Sequence, residues 1–127
     1  MTITREPAVA GLFYPADPVE LNDMVEQLLT FCSERHSKPK ALIVPHAGYI
    51  YSGATAAAAY KTLFKLRDKI QKVVLVGPSH HVAFHGVAYS KAEQFLTQLG
   101  VVAQDLQDIE QIANLPLVEH NEAAHQQ

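Results

Sequence analysis

Cysteine is almost missing from this 127-residue chain: Cys32 is the single one, which excludes an internal disulfide. Long apolar runs are missing too. None approaches the roughly 20 residues that would span a bilayer. The first residues, "MTITREPAVAG", lack the charged-then-apolar design of a secretory signal. No charge bias exists to attract nucleic acid. The ten Lys and Arg are scattered, and the formal net charge is −3 with histidines neutral. Repeats, low-complexity tracts and internal linkers are absent from the pattern, as is the G-x-S-x-G elbow of a serine hydrolase. These absences point to a cytoplasmic protein with no membrane and no nucleic-acid partner.

What is present is enough apolar sequence for one core, since 48% of residues are hydrophobic. The length suits a single domain over 1–127. The stretch "DPVELNDMVEQLLTFCSER" predicts a helix over 17–35. Asp17 is its N-cap, Pro18 its first residue, and Glu20 completes a capping-box spacing. Leu21, Met24, Val25, Leu28, Leu29 and Cys32 share one face. Cys32 on that face reads as a small buried hydrophobe.

"KALIVP" (40–45) and "KVVLVG" (72–77) are short continuous apolar runs, the pattern of strands buried on both faces. The alanine-rich "SGATAAAAYKTLFKL" between them predicts a helix. Together they form a β-α-β unit and imply an α/β fold, a three-layer core around a mainly parallel sheet. Further strands are expected at 86–90 and 101–104, and a helix at 105–115 before Pro116. The tail "LVEHNEAAHQQ" is too polar to close a core.

The β-α-β reading carries a geometric consequence. A right-handed crossover brings the second strand back parallel to the first, so both end on one sheet edge. His46 follows the first strand and His80 the second. Ligands of open α/β sheets bind outside the carboxyl ends of the strands. Adjacent strands lie about 4.8 Å apart, and imidazole nitrogens sit about 2.0–2.1 Å from a zinc-like ion. The two histidines are therefore candidate ligands of one divalent metal. Gly48 permits a tight turn or close approach, and Gly77-Pro78-Ser79 shapes the second turn. Tyr49 and Tyr51 can wall a pocket with phenolic groups, and His81 can serve as an acid–base group. On spacing alone, the pair reads either as a metal or catalytic site or as two loop histidines. His85 reads as a rim residue. His120 and His125 read as solvated, with His125 also a candidate lining residue.

The ordered set "AGLFYP", "PHAGYIYSG", "AAAAY" and "GPSHH" resembles the Memo family, the middle protein of the bacterial AMMECR/Memo/radical-SAM trio. The resemblance runs from about Arg5 onward. It implies a fold like that of the class III extradiol dioxygenases, which are non-haem iron enzymes. Carried over residue by residue, it places metal ligands at His46 and His80. It places Tyr49, Ser79 and His81 in the pocket, with Tyr49 and His81 as candidate catalytic groups beside Gly48, Tyr51 and His125.

Family members continue past "AHQQ" into an "EHSLE" segment and a second half, which carries the third ligand, a cysteine. Cys32 does not match that position. The stretch "FLTQLG" also lacks the family's usual proline. The resemblance thus implies the N-terminal half of a longer domain, incomplete at its C-terminus. Such a chain is expected to hold iron, copper or zinc weakly and to be inactive alone. The implied function is metal-dependent redox chemistry on a small molecule. The alternative is a non-enzymatic scaffold that binds a peptide or protein. AMMECR-like and radical-SAM proteins are candidate partners, and an exposed sheet edge would favour self-association.

Overall fold

The computed structural model describes residues 2–33 and 37–126. It is a mixed α/β structure that divides into two compact units. One is Ala10–Leu75, and the other combines Met1–Val9 with Val76–Gln127.

The Ala10–Leu75 unit is helical. Helix α1 spans Pro18–Thr30. It starts where the sequence indicates, because the Asp17 carboxylate accepts from the Val19 and Glu20 N–H groups at 2.9 and 3.0 Å. Those are two of the donors that a helix start leaves unpaired. Leu21 is buried, while Met24, Val25, Leu28 and Leu29 are half-buried; every other position of the helix is exposed. The expected apolar face is thus the one that packs. The helix stops at Thr30, short of the expected end, and residues 34 and 35 of that expectation lie outside the described residues. Cys32 is half-buried beyond the helix, its thiol donating to the Leu28 carbonyl at 3.2 Å.

Helix α2 spans Tyr49–Tyr60 and passes into a 3-10 turn over Lys61–Leu66. Alanine-rich sequence favours the helix, but small residues also set its packing. Gly53 and Ala57 are its buried positions. A methyl group on Gly53 would sit 2.8 Å from Leu28 Cδ1, so α2 lies close against α1 there. Lys61 Nζ donates to the Leu29 carbonyl at 2.6 Å and so satisfies an open acceptor near the end of α1.

Among the described residues, the strands all fall in the other unit. Strand β1 is Thr4–Arg5, β2 is Val87–Tyr89, β3 is Gln94–Thr97 and β4 is Gly100–Ala103. Helix α3, Leu106–Ile112, follows and is capped by Asp105, whose carboxylate accepts from the Asp108 N–H at 3.1 Å. Strand β5 is Val118–His120, and Ala123–His125 form a 3-10 turn. β3 and β4 make an antiparallel hairpin, and β1 adds parallel to β3 in the order β1-β3-β4. Separately, β2 pairs parallel with β5. Ser90 and Ala92, just after β2, are the most deeply buried residues here, at 1% and 2% exposure.

One expectation needs correction. The runs 40–45 and 72–77 form no strands, so the sheet is not built on them. Instead of one sheet in a three-layer core, the described residues form two small sheets. The reason is physical. A strand apolar on both faces is stable only with ladder partners at its edges and cover on both faces. Neither run has a ladder partner here. Ile43 is fully exposed, and Val73, Val74, Leu75 and Val76 keep 74–90% of their surface in water.

Candidate functional site

In the Ala10–Leu75 unit the loop "AGLFYP" is folded against the start of α2. The loop closes on itself through the Gly11 N–H, which donates to the Tyr14 carbonyl at 2.8 Å. Gly11 holds a φ of +79°, a conformation glycine adopts without strain. The Tyr49 N–H, open at a helix start, donates to the Phe13 carbonyl at 2.8 Å. Gly48 is buried beneath this contact. An added Cβ would lie 3.4 Å from that carbonyl and 3.5 Å from the Phe13 ring, in ordinary van der Waals contact, so the loop and the helix start pack closely here without demanding glycine.

Between loop and helix lies an open cleft of about 240 Å³, lined by Leu12, Phe13, Tyr14, Met24, Tyr49 and Tyr51 among others. The Tyr14 and Tyr49 rings stand 5.5 Å apart and tilted. Burial, and then the neighbouring phenols Tyr14 and Tyr60, push the Tyr49 hydroxyl above the ordinary tyrosine range. Tyr49, protonated at neutral pH like any phenol, therefore keeps its proton to higher pH than an exposed tyrosine. Tyr51 stands at the rim, 83% exposed. His46 precedes the helix and is exposed.

His80 belongs to the other unit, in the segment leading to β2. The Ser79 hydroxyl donates to the Val82 carbonyl at 2.6 Å and accepts from the Val82 N–H at 3.3 Å. This tight turn holds His80 and His81 at its tip, with ring centroids 6.5 Å apart. His85 is exposed. His125 is half-buried, its Nε2 lying 3.2 Å from the Ala88 carbonyl, and its own carbonyl accepts from Arg5 Nε. Gly48, Tyr49 and Tyr51 are thus gathered beside α2, and Ser79, His80 and His81 in one turn. Among the described residues, no group of three or more His, Cys, Asp or Glu is placed to hold a metal ion. The imidazoles are suitable metal donors by chemistry, but the described residues supply them without a closed ligand set.

A cluster absent from the sequence reading surrounds Glu122. Its carboxylate accepts from the Ser90 hydroxyl at 2.9 and 3.1 Å, from the Lys91 N–H at 2.6 Å, and meets His120 Nε2 at 3.0 Å. Burial alone would push the carboxyl up. The hydrogen bonds from Lys91, His120 and Ser90 outweigh it and hold the group below the usual carboxylate range. This is not a hydrolase triad. The serine bonds the carboxylate rather than the imidazole, and it is 1% exposed.

Among the described residues, no helix is long and apolar enough to cross a membrane. A family model described as Memo-like protein matches residues 5–127. A MEMO1 family protein of Aquifex aeolicus is 43% identical over 121 residues, covering 95% of this chain and 44% of the relative. One from Methanocaldococcus jannaschii is 39% identical, covering 98% of this chain and 47% of the relative. The zebrafish (Danio rerio) protein MEMO1 is 39% identical over 97 residues, covering 76% of this chain and 32% of its own. The chain therefore spans less than half the length of these relatives. With the match running from Arg5 to the last residue and through both histidine-bearing turns, the chain belongs to the Memo family.

Proposed function

We propose that this chain contributes the His46 and His80 half of a Memo-type metal pocket, in a domain akin to the class III extradiol dioxygenases and completed by further polypeptide. The observation that carries the reading is the construction of the two histidine-bearing turns. One is locked by the Phe13 carbonyl over Gly48 and Tyr49, the other by the Ser79–Val82 pair of hydrogen bonds.

In this reading His46 and His80 donate imidazole nitrogens to a divalent ion. Iron, copper or zinc bound there supplies Lewis acidity, and iron or copper supplies redox chemistry as well. Tyr49, which keeps its proton at neutral pH, donates a hydrogen bond to an anionic or carbonyl oxygen of a small-molecule substrate. His81, beside His80, moves a proton as general acid or base. Gly48, Tyr51, Ser79 and His125 shape the surroundings. With two imidazoles and no third ligand, the isolated chain holds metal weakly and is inactive. The protein works in the cytoplasm.

The test is metal analysis and calorimetric titration of this chain beside a full-length relative. His46→Ala and His80→Ala in the relative should each remove most bound metal, whereas His85→Ala should not. Equal loss from His85→Ala, or full metal retention after the first two, would refute the assignment.

A second reading is favoured by the cleft itself. Leu12, Ile50 and Tyr51 at its margin are 75–83% exposed and Phe13 is 47% exposed, a neutral aromatic surface suited to a peptide or protein partner. AMMECR-like and radical-SAM proteins are the candidate partners, and the exposed 72–77 run is a further site for self-association. Peptide binding that survives loss of both histidines would favour this scaffold role.

A further inference from the structure

We propose that Glu122 is an acid-releasable latch that fastens the 118–125 segment to the end of β2. The inference is independent of the histidine pair. β2 and β5 pair over three residues each, Val87↔Val118, Ala88↔Glu119 and Tyr89↔His120. So short a parallel ladder is marginal by itself. What lies at its ends decides whether it holds. At one end the Val87 N–H donates to the Leu117 carbonyl at 2.8 Å. At the other the Asn121 N–H donates to the Tyr89 carbonyl at 3.2 Å, and the next residue is Glu122.

Glu122 is the convergence point of that second end. Its carboxylate reaches back 32 residues to the Ser90 hydroxyl and 31 to the Lys91 N–H. The Ser90 hydroxyl also accepts from the Ala92 N–H at 3.0 Å, so the carboxylate anchors the whole turn after β2. His120 Nε2 meets the same carboxylate oxygen as Lys91. The ionised group accepts at both oxygens; on protonation one oxygen carries a hydrogen, and acceptor capacity is lost where these partners converge. Hydrogen bonds to a charged acceptor are also about twice as strong as neutral ones.

The surrounding charged groups are few. His120 from β5 touches the carboxylate, and its ring lies 5.7 Å from that of Tyr89 on β2. The carboxylate of Glu119 on β5 accepts from Asn121 Nδ2, at 3.4 Å. Arg5 of β1 and His125 of the 3-10 turn bond each other, Nε to carbonyl, and so add a second tie on the segment. A carboxyl held below its ordinary range favours the ionised, folded form. Its contribution is present at neutral pH and is lost as pH falls through the native carboxyl's titration.

The experiment is amide hydrogen exchange on the full chain, corrected for intrinsic rates, at about pH 7 and about pH 3, for wild type and Glu122→Gln. In wild type, acid should lower protection at Val87 and Asn121 by about tenfold or more, while the β3–β4 ladder keeps its protection. Glu122→Gln should show the lowered protection already at neutral pH, with no further selective loss in acid. Equal loss in both sheets on acidification, retained protection at Val87 and Asn121, or wild-type protection in Glu122→Gln at neutral pH would overturn the latch.

Discussion

Gly86 is the position where one added methyl group should do most damage. It stands immediately before β2 with a φ of +88°. A Cβ placed there would lie 1.9 Å from the Leu117 carbonyl oxygen and 2.8 Å from its carbon. Those are backbone atoms, so no rotamer change relieves the clash. That same oxygen accepts the Val87 N–H. Relief requires β5 to move off β2 and give up that bond. Left-handed backbone costs alanine roughly 1–2 kcal/mol, and a lost hydrogen bond about 0.5–1.5 kcal/mol. Gly86→Ala should therefore destabilise the β2–β5 pair by on the order of 2–3 kcal/mol, against a typical total stability of about 5–15 kcal/mol. Leu117 is itself in left-handed backbone, at φ 64°, with a side chain 75% exposed. Leu117→Gly should then be neutral or stabilising, because strain is removed and little burial is lost. The assay is thermal melting together with amide exchange at Val87 and Asn121. If Gly86→Ala melts with wild type and both amides stay protected, the close approach of Gly86 to Leu117 is wrong.

Two further predictions concern the other unit. In an alkaline absorbance titration Tyr49 should ionise above the ordinary phenol range, and Tyr49→Phe should remove that late step. Since the unfolded phenol ionises first, native stability should fall as pH rises above about 10, and the variant should blunt that fall; an unchanged titration would place Tyr49 in water. Val74→Lys should reduce self-association in sedimentation without lowering the melting temperature, because Val74 is 90% exposed. Undiminished association would locate the contact elsewhere.

Local signals were legible where one residue type settles the outcome. Asp17 and Pro18 fix the start of α1, and the spacing from Leu21 to Cys32 gives its packed face. β2 and α3 lie within the segments read as strand and helix, and β4 overlaps the strand read at 101–104. The runs 40–45 and 72–77 mislead because apolar sequence specifies a wish for burial, not the partner that provides it. β1, β3 and β5 are two to four residues long, too short to show a period, and β5 is "VEH". At the site, the turn character around Gly48 and Ser79 was readable from glycine, proline and serine. The Glu122 cluster was not, since its partners Ser90 and Lys91 lie 32 and 31 residues away and only the fold brings them together.

The discontinuous unit carries a consequence for the order of events during synthesis. β1 pairs with β3, Thr4 with Gln94 and Arg5 with Phe95, across 90 residues. The whole helical Ala10–Leu75 unit lies between those partners in the chain. At about 5–20 residues per second, β1 leaves the ribosome on the order of ten seconds before its partner exists. The helical unit, whose contacts are local, can condense in that interval, since helices form within about a microsecond. β1 must wait as an unpaired strand, and the Arg5 contacts with Phe95 and His125 close last. Slowing translation near residue 94 should therefore lengthen the life of a nascent chain with folded helices and a free amino-terminal strand.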